Sequence, residues 1–255
     1  MIEYNFDQQA YFDNVGISKS GLDHMAKSPA HYQASLQMTR KQSPALLLGS
    51  AVHCAVLEPD EFGKRYALKD FSRTTKEGKA AYAELKDQGI EALPPDIYMQ
   101  VIGMQKSVLN HPLAKDLLQN GDSEVSCFQN INGVHTKARA DYLRKDGILV
   151  DLKTTQDASP LGFAKSVADF NYHRQVAWYW NLFSREIDVQ DFYLIAVEKE
   201  PPYAVMVYTL DSEAIEKGQE ECDKLFALYR HCLENDDWPA YPIEVQSLSL
   251  PAWRK

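Results

Sequence analysis

Thr136-Lys-Ala-Arg-Ala-Asp-Tyr142 and Ile148-Leu-Val-Asp-Leu-Lys153 are the two stretches whose reading decides the fold. In the first, Lys137, Arg139 and Asp141 alternate with Ala138, Ala140 and Tyr142, the period-2 pattern of a half-buried strand with all of its charge on one face. Asn132-Gly133 ahead of it is a two-residue hairpin signal, so Glu124 to Ile131 is expected to pair antiparallel with Gly133 to Leu143. A second turn at Lys145-Asp-Gly147 feeds the other stretch. There Asp151 and Lys153 project to one side while Leu152 points into the core between them. The expectation is a three-stranded meander that turns Asp141, Asp151 and Lys153 toward one reactant.

Working outward, Asn171 to Phe183 reads as a helix in which Gln175 and Tyr179, at i and i+4, lie on one face, and Val176, Trp180 and Phe183 cover the core. Asp191 to Glu198 and Tyr203 to Leu210 read as two more strands joined across Pro201-Pro202, with Asp211 capping a final helix to about Asn235. Upstream, helices are expected near 18 to 37, 44 to 57, 75 to 88, 95 to 110 and 113 to 119. The helix at 44 to 57 opens with Ser43 as N-cap and Pro44 at its first position, stops at Pro59, and is apolar nearly all round. Such a helix is buried. It carries His53, with Gly49 one turn earlier on the same face allowing close backbone approach, and Cys54 as a small core residue.

The residue types suit one chemistry. Hydrolysis of a phosphodiester needs a deprotonated water in line with the leaving oxygen and compensation of charge on the phosphate, which Mg²⁺ supplies when held by carboxylates. Asp141 and Asp151 are the expected metal ligands. Lys153 is placed to orient the water or neutralise the phosphate, and Thr154 and Thr155 offer hydroxyls to phosphate oxygens.

Composition bounds the classes. The 255 residues, 45% hydrophobic and 11% aromatic, are ample for a buried core. No apolar run approaches ~20 residues and the first residues lack a basic-then-apolar leader, so membrane spanning and secretion are not expected and a cytoplasmic location is. Cys54, Cys127, Cys222 and Cys232 form no C-x-x-C pair, which argues against structural zinc and an iron-sulfur cluster. The net charge of -9 weighs against a nucleic-acid partner, but the acid excess is C-terminal. Glu213, Glu216, Glu220, Glu221 and Asp223 on the last helix are expected to face solvent. Lys64-Arg65, Lys69, Arg73, Lys76 and Lys79 form a candidate phosphate-contacting stretch.

Asp141, Asp151-Leu-Lys153 and Gln175-Val-Ala-Trp-Tyr179 resemble the D…DxK…QxxxY signature of the RecB-like branch of PD-(D/E)xK nucleases. Gly49 and His53 resemble the G-x-x-x-H helix of that branch, and Ile17-Ser-Lys-Ser-Gly-Leu22 with Ser28-Pro-Ala-His-Tyr32 is similar to the start of the RecE-type exonuclease domain, exodeoxyribonuclease VIII. The resemblance implies an α/β fold: a restriction-endonuclease-like core whose mixed central sheet is flanked by helices. It would be a single nuclease domain over 1 to 255, with a helical N-terminal part to about 119 and the catalytic core from about 120.

It further implies a Mg²⁺-dependent exodeoxyribonuclease, with Mn²⁺ as a substitute, that degrades one strand of double-stranded DNA from its 5′ end. The 3′ overhang would serve a single-strand annealing protein in prophage-type recombination and repair. By the same resemblance His53, Asp141, Asp151 and the Leu152 carbonyl bind metal, and Lys153 is the catalytic lysine. Glu124 is a further acid near the water, and Gln175 and Tyr179 steady the site and touch DNA. Apart from the resemblance, Thr154, just past the strand end, and Arg139, on the charged face of its strand, are expected to contact the substrate. The subunits would form a tetramer around a channel. Two rival functions are another nuclease activity on the same site, such as endonuclease or repair cleavage, and a non-catalytic DNA-binding or assembly protein. Retention of Lys153 with both acids speaks against the last.

Overall fold

A computed structural model describes residues 1–38 and 43–250. Its centre is a six-stranded sheet in the order β1 (Ile2–Glu3), β4 (Gly121–Ile131), β5 (Val134–Arg144), β6 (Ile148–Thr155), β7 (Asp191–Glu198) and β8 (Val205–Tyr208). β2 (Tyr66–Leu68) and β3 (Glu91–Leu93) form a separate parallel pair. The expected meander is present: β4, β5 and β6 are antiparallel neighbours. β6 and β7 are parallel, which demands a crossover, and α9 (Pro160–Asp169) with α10 (Tyr172–Phe183) supplies it. The sheet is therefore mixed, in an α/β fold of the expected class.

Two apolar layers sandwich the sheet. On one face, α10 and α11 (Ser212–Asn235) pack with α2 (Lys19–Lys27) over Val125, Cys127, Ala138, Ala140 and Leu149. On the other, α4 (Pro44–Leu57) and α7 (Pro95–Asn110) cover Tyr142, Val150, Leu152, Ile195 and Val197. All four cysteines are buried and unbridged. Among the described residues no helix is long and apolar enough to cross a membrane.

Several elements depart from expectation for local reasons. The helix expected over 18 to 37 is two, α2 and α3 (Pro29–Gln37), because Ser28 ends one and caps the next while Pro29 cannot continue the first. α1 (Gln8–Asp13), α5 (Pro59–Arg65) and α9, and the strands β1 to β3, were not expected; α6 (Lys76–Asp87) and α8 (Pro112–Leu117) were. Glu221 is only partly open to solvent. It accepts from Arg174 at 2.7 Å, and Arg174 also reaches Asp23 at 2.6 Å, so a buried guanidinium ties α2, α10 and α11 together. Lys137 is buried as well, and its ammonium donates to the carbonyls of Tyr11, Phe12 and Asn14 at the end of α1. The charged face of β5 is thus partly structural.

The packing of α11 on α10 depends on Gly218, where an added Cβ would lie 2.3 Å from the His173 carbonyl oxygen. At Gly63 in α5 the same atom meets nothing within 4 Å. Gly218→Ala should therefore destabilise by about 1–3 kcal/mol, the usual cost of overpacking. Gly63→Ala should be neutral or stabilise by up to about 1 kcal/mol through helix propensity. Urea unfolding of both variants checks the opposed signs.

Candidate active site

The site is built where the sheet comes apart. β5 and β6 pair only at Tyr142↔Val150 and Leu143↔Leu149. One step further along that register Asp141 stands opposite Asp151, and the ladder stops there. The Leu152 N–H, which continued pairing would have satisfied, donates to Asp141 Oδ2 at 2.8 Å instead. Because a strand residue's N–H and C=O point to the same edge, the Leu152 carbonyl also faces the fork.

The strict alternation expected of β5 breaks at the same place. Ala138 and Ala140 enter the core on the α10 side, whereas Tyr142 enters the core on the α4 side. The cause lies across the ladder, where Glu124 has φ 54° and the Glu124–Asp141 position is left unpaired. Left-handed backbone in a non-glycine residue turns the strand locally, and it brings both carboxylates toward the opening.

Each face of the sheet contributes a helix to the fork. From α4, His53 Nδ1 lies 3.4 Å from Asp141 Oδ2. His53, Glu124 and Asp141 each offer a ligand atom, all within 4.8 Å of one another. Glu124 is held by Arg139, whose Nε donates to Oε2 at 2.7 Å while its Nη1 reaches the Phe6 carbonyl and Ser126 Oγ. Arg139, expected to contact substrate, is occupied in fixing this acid. From α10, Gln175 accepts from Lys153 Nζ at 3.0 Å through Oε1 and donates to Asp151 Oδ1 through Nε2. The amide can bridge an ammonium and a carboxylate in this orientation only. Lys153 Nζ is also 2.6 Å from Asp151 Oδ2, and it lies 4.6 Å from the centre of the Tyr172 ring.

The structure thus brings together the expected set and regroups it. His53 and Asp141 stand with Glu124, while Asp151 is turned to Lys153 and Gln175. Tyr179 sits half-buried one turn after Gln175, against the Arg139 backbone. Thr154 lies beside Gly49, where an added Cβ would be 3.9 Å from its hydroxyl; that is ordinary contact, so Gly49 is not required for close backbone approach and leaves room at the fork. Thr155 is buried, and its hydroxyl donates to the Asp157 carbonyl, not outward. In the basic stretch, Lys64 and Arg65 pair with Glu61 and Glu58, and Arg73 covers the Tyr82 ring. Tyr172, whose place under Lys153 is set by the α9–α10 junction, has no signal in its local sequence. Arg174 has one only in its position beside Gln175.

Electrostatics test whether these groups suit a cation. Burial raises the Asp141 pKa to about 8, reinforced by Asp151 opposite it. Burial, then Asp141, raises that of Glu124. Burial lowers the His53 pKa and so favours the neutral imidazole that a metal ligand requires. Burial also opposes charge on Lys153, but Asp151 and Asp141 outweigh it and the net direction is up. Asp151 Oδ2 is buried and, although ion-paired, is not aligned for a hydrogen bond. Adjoining carboxylates that resist ionisation, a neutral imidazole and an incompletely satisfied carboxylate oxygen form a donor set deficient in positive charge, and a divalent cation fits it.

Meander, parallel crossover and Asp141/Asp151-x-Lys153 at the fork together define a PD-(D/E)xK nuclease fold. Residues 18–250 match the family described as "PDDEXK-like domain of unknown function (DUF3799)", and the chain belongs to that family. No curated protein matches the chain. Among solved structures it resembles a candidate exonuclease from Eubacterium rectale, with a TM-score of 0.64 and 14% identity over 95% of this chain and 97% of that one. It also matches a phage-related exonuclease from Haemophilus somnus 129PT at 12% identity over 90% and 100% of the two chains, with a TM-score of 0.39. An alkaline exonuclease from Laribacter hongkongensis matches at 16% identity over 73% and 95%, with a TM-score of 0.31. The Eubacterium likeness is one of fold.

The raised Asp141 pKa gives a pH dependence of known sign. A carboxyl whose folded pKa exceeds its unfolded value contributes stability that is complete below the unfolded pKa and lost as pH rises through the folded one. Without divalent ions, stability should fall from pH 6 to pH 9. A bound cation relieves that loss. The rise in melting temperature on replacing EDTA with Mg²⁺ should be larger at pH 9 than at pH 6, and thermal melts at both values check it. An increment that does not grow with pH would contradict the assignment.

Proposed function

We propose that this chain is a metal-dependent exodeoxyribonuclease that degrades one strand of duplex DNA from its end. The observation that carries the reading is the convergence of Asp141, Asp151, Lys153 and Gln175 at one break in the sheet, with His53 and Glu124 beside them. The fold shared with the Eubacterium rectale protein supports an exonuclease in particular.

His53, Glu124 and Asp141 would hold the cation, with Asp151 and the Leu152 carbonyl at its margin. When bound, a divalent ion such as Mg²⁺ compensates phosphate charge and lowers the pKa of a water. The protein's own groups do the rest. Lys153, kept protonated by two carboxylates, places a fixed positive charge where the phosphate gains negative charge, and the bridging Gln175 prevents its side chain from swinging away. Glu124, its carboxylate fixed by Arg139, would orient the attacking water beside the cation. Thr154 and Tyr179 would contact the phosphate from beside the fork. The resemblance to RecE-type enzymes extends the reading to 5′-to-3′ polarity, 3′ overhangs passed to an annealing protein, and a tetramer.

The test is digestion of linear duplex DNA labelled separately at each 5′ and 3′ end, in Mg²⁺ or EDTA, beside a covalently closed circle. Mg²⁺-dependent release of the 5′ label with the circle intact is expected. A cut circle would make the chain an endonuclease, and absence of cleavage would leave a binding role. Lys153→Ala should slow cleavage by about 10²-fold or more. Its DNA binding in Ca²⁺, measured by anisotropy, should be largely kept. Undiminished turnover would remove Lys153 from the chemistry.

A further inference from the structure

The junction of α9 and α10 carries an aromatic residue whose exposure the fold does not explain. Phe170 is 60% exposed, yet its backbone is tightly held. Its N–H donates to the Ser166 carbonyl at 3.0 Å, and its own carbonyl accepts from Lys19 Nζ at 2.8 Å. Asn171, next to it, adopts φ 54° at the start of α10, where its N–H donates to the Ala168 carbonyl and its own carbonyl accepts from the Gln175 N–H. A large apolar side chain fixed in water by a rigid frame marks a contact surface better than one on a loose loop does.

What lies behind the ring gives it a purpose. Phe170 stacks on Tyr172 with centroids 5.7 Å apart and planes at 26°. The Lys153 ammonium lies 4.6 Å from the centre of the Tyr172 ring, Tyr172 meets Phe163 at 6.1 Å, and Phe163 stacks on Tyr208 at 4.9 Å. Four rings therefore run from the sheet to solvent, passing the reactive lysine, and Phe170 is the open end. A flat ring arriving from solvent would extend the series by one.

The geometry points to Phe170 as a stacking platform for the nucleobase of the nucleotide being cleaved. The inference rests on the nuclease reading above and adds a base-binding subsite to it. If Lys153 meets the scissile phosphate, the attached base lies a sugar's breadth from it, and Phe170, one ring beyond the Tyr172 that Lys153 meets, presents an exposed π-face. Stacking on an aromatic ring tolerates every base, as an enzyme degrading arbitrary sequence requires.

The test uses the whole chain with duplex oligonucleotides carrying 2-aminopurine at the terminal nucleotide, in Ca²⁺ for binding and in Mg²⁺ for cleavage. Wild type should quench the 2-aminopurine on binding. Phe170→Ala should abolish the quench and slow cleavage by about 5- to 150-fold, the range of one base–aromatic stack. Phe170→Trp should restore both, whereas Phe170→Leu should not. On a duplex whose terminal nucleotide is abasic, wild type and Phe170→Ala should cleave alike. Equal quenching by wild type and Phe170→Ala would overturn the inference, as would equal slowing on normal and abasic ends, because the ring would then act on the fold. If wild type degrades no DNA from an end yet quenches in a Phe170-dependent way, the nuclease reading fails and the platform stands.

Discussion

The separation of β5 from β6 after two residue pairs is the constraint on which the rest of this molecule depends. A continuous ladder would set Asp141 against Asp151 at cross-strand distance, where like charges repel. Opening the sheet lets one carboxylate take the N–H that pairing gave up and leaves the other to a lysine and a glutamine. The opening also admits side chains from both apolar layers, so His53 and Gln175 arrive from opposite faces of one sheet.

Such a gap must be held open, and polar contacts around it do this. Arg139 holds Glu124, Lys137 fastens the end of α1 against β5, and Arg174 clamps α10 to α2 and α11. Replacing buried pairs of this kind by apolar residues is often neutral or stabilising, so they are weak evidence for stability. Their value here is geometric. Each fixes the backbone that carries a site residue: β4 for Glu124, β5 for Asp141, α10 for Gln175.

Much of this was legible in the chain. The meander followed from period-2 alternation and two turn signals, and Gln175 and Tyr179 from helical spacing, because these are local patterns with local causes. Ser159-Pro160 and Ser28-Pro29 are equally local helix-start signals, and they account for α9 and for the break between α2 and α3, which hydrophobic periodicity alone does not show. Other features have no local signal. The reversal of β5 at Asp141 depends on the backbone of Glu124 across the ladder, and the partners of Arg174 lie 151 and 47 residues away. Glu221 looked like one more surface acid for that reason. Tyr172 under Lys153 likewise needs the fold before it has a meaning.

The order of strands in the sheet bears on how the site is assembled in time. β4, β5 and β6 are joined by short turns and form a nearly self-contained unit in the middle of the chain, while β1 pairs with β4 across more than a hundred intervening residues and α4 docks from well upstream. Local contacts close before distant ones because the entropy of loop closure grows with separation. The expected order is that the acidic fork forms first and the helix bearing His53 docks on it afterwards. On that order the carboxylates would meet before their neutral partner arrives, and a divalent cation held at the fork would then bear on the last steps of folding.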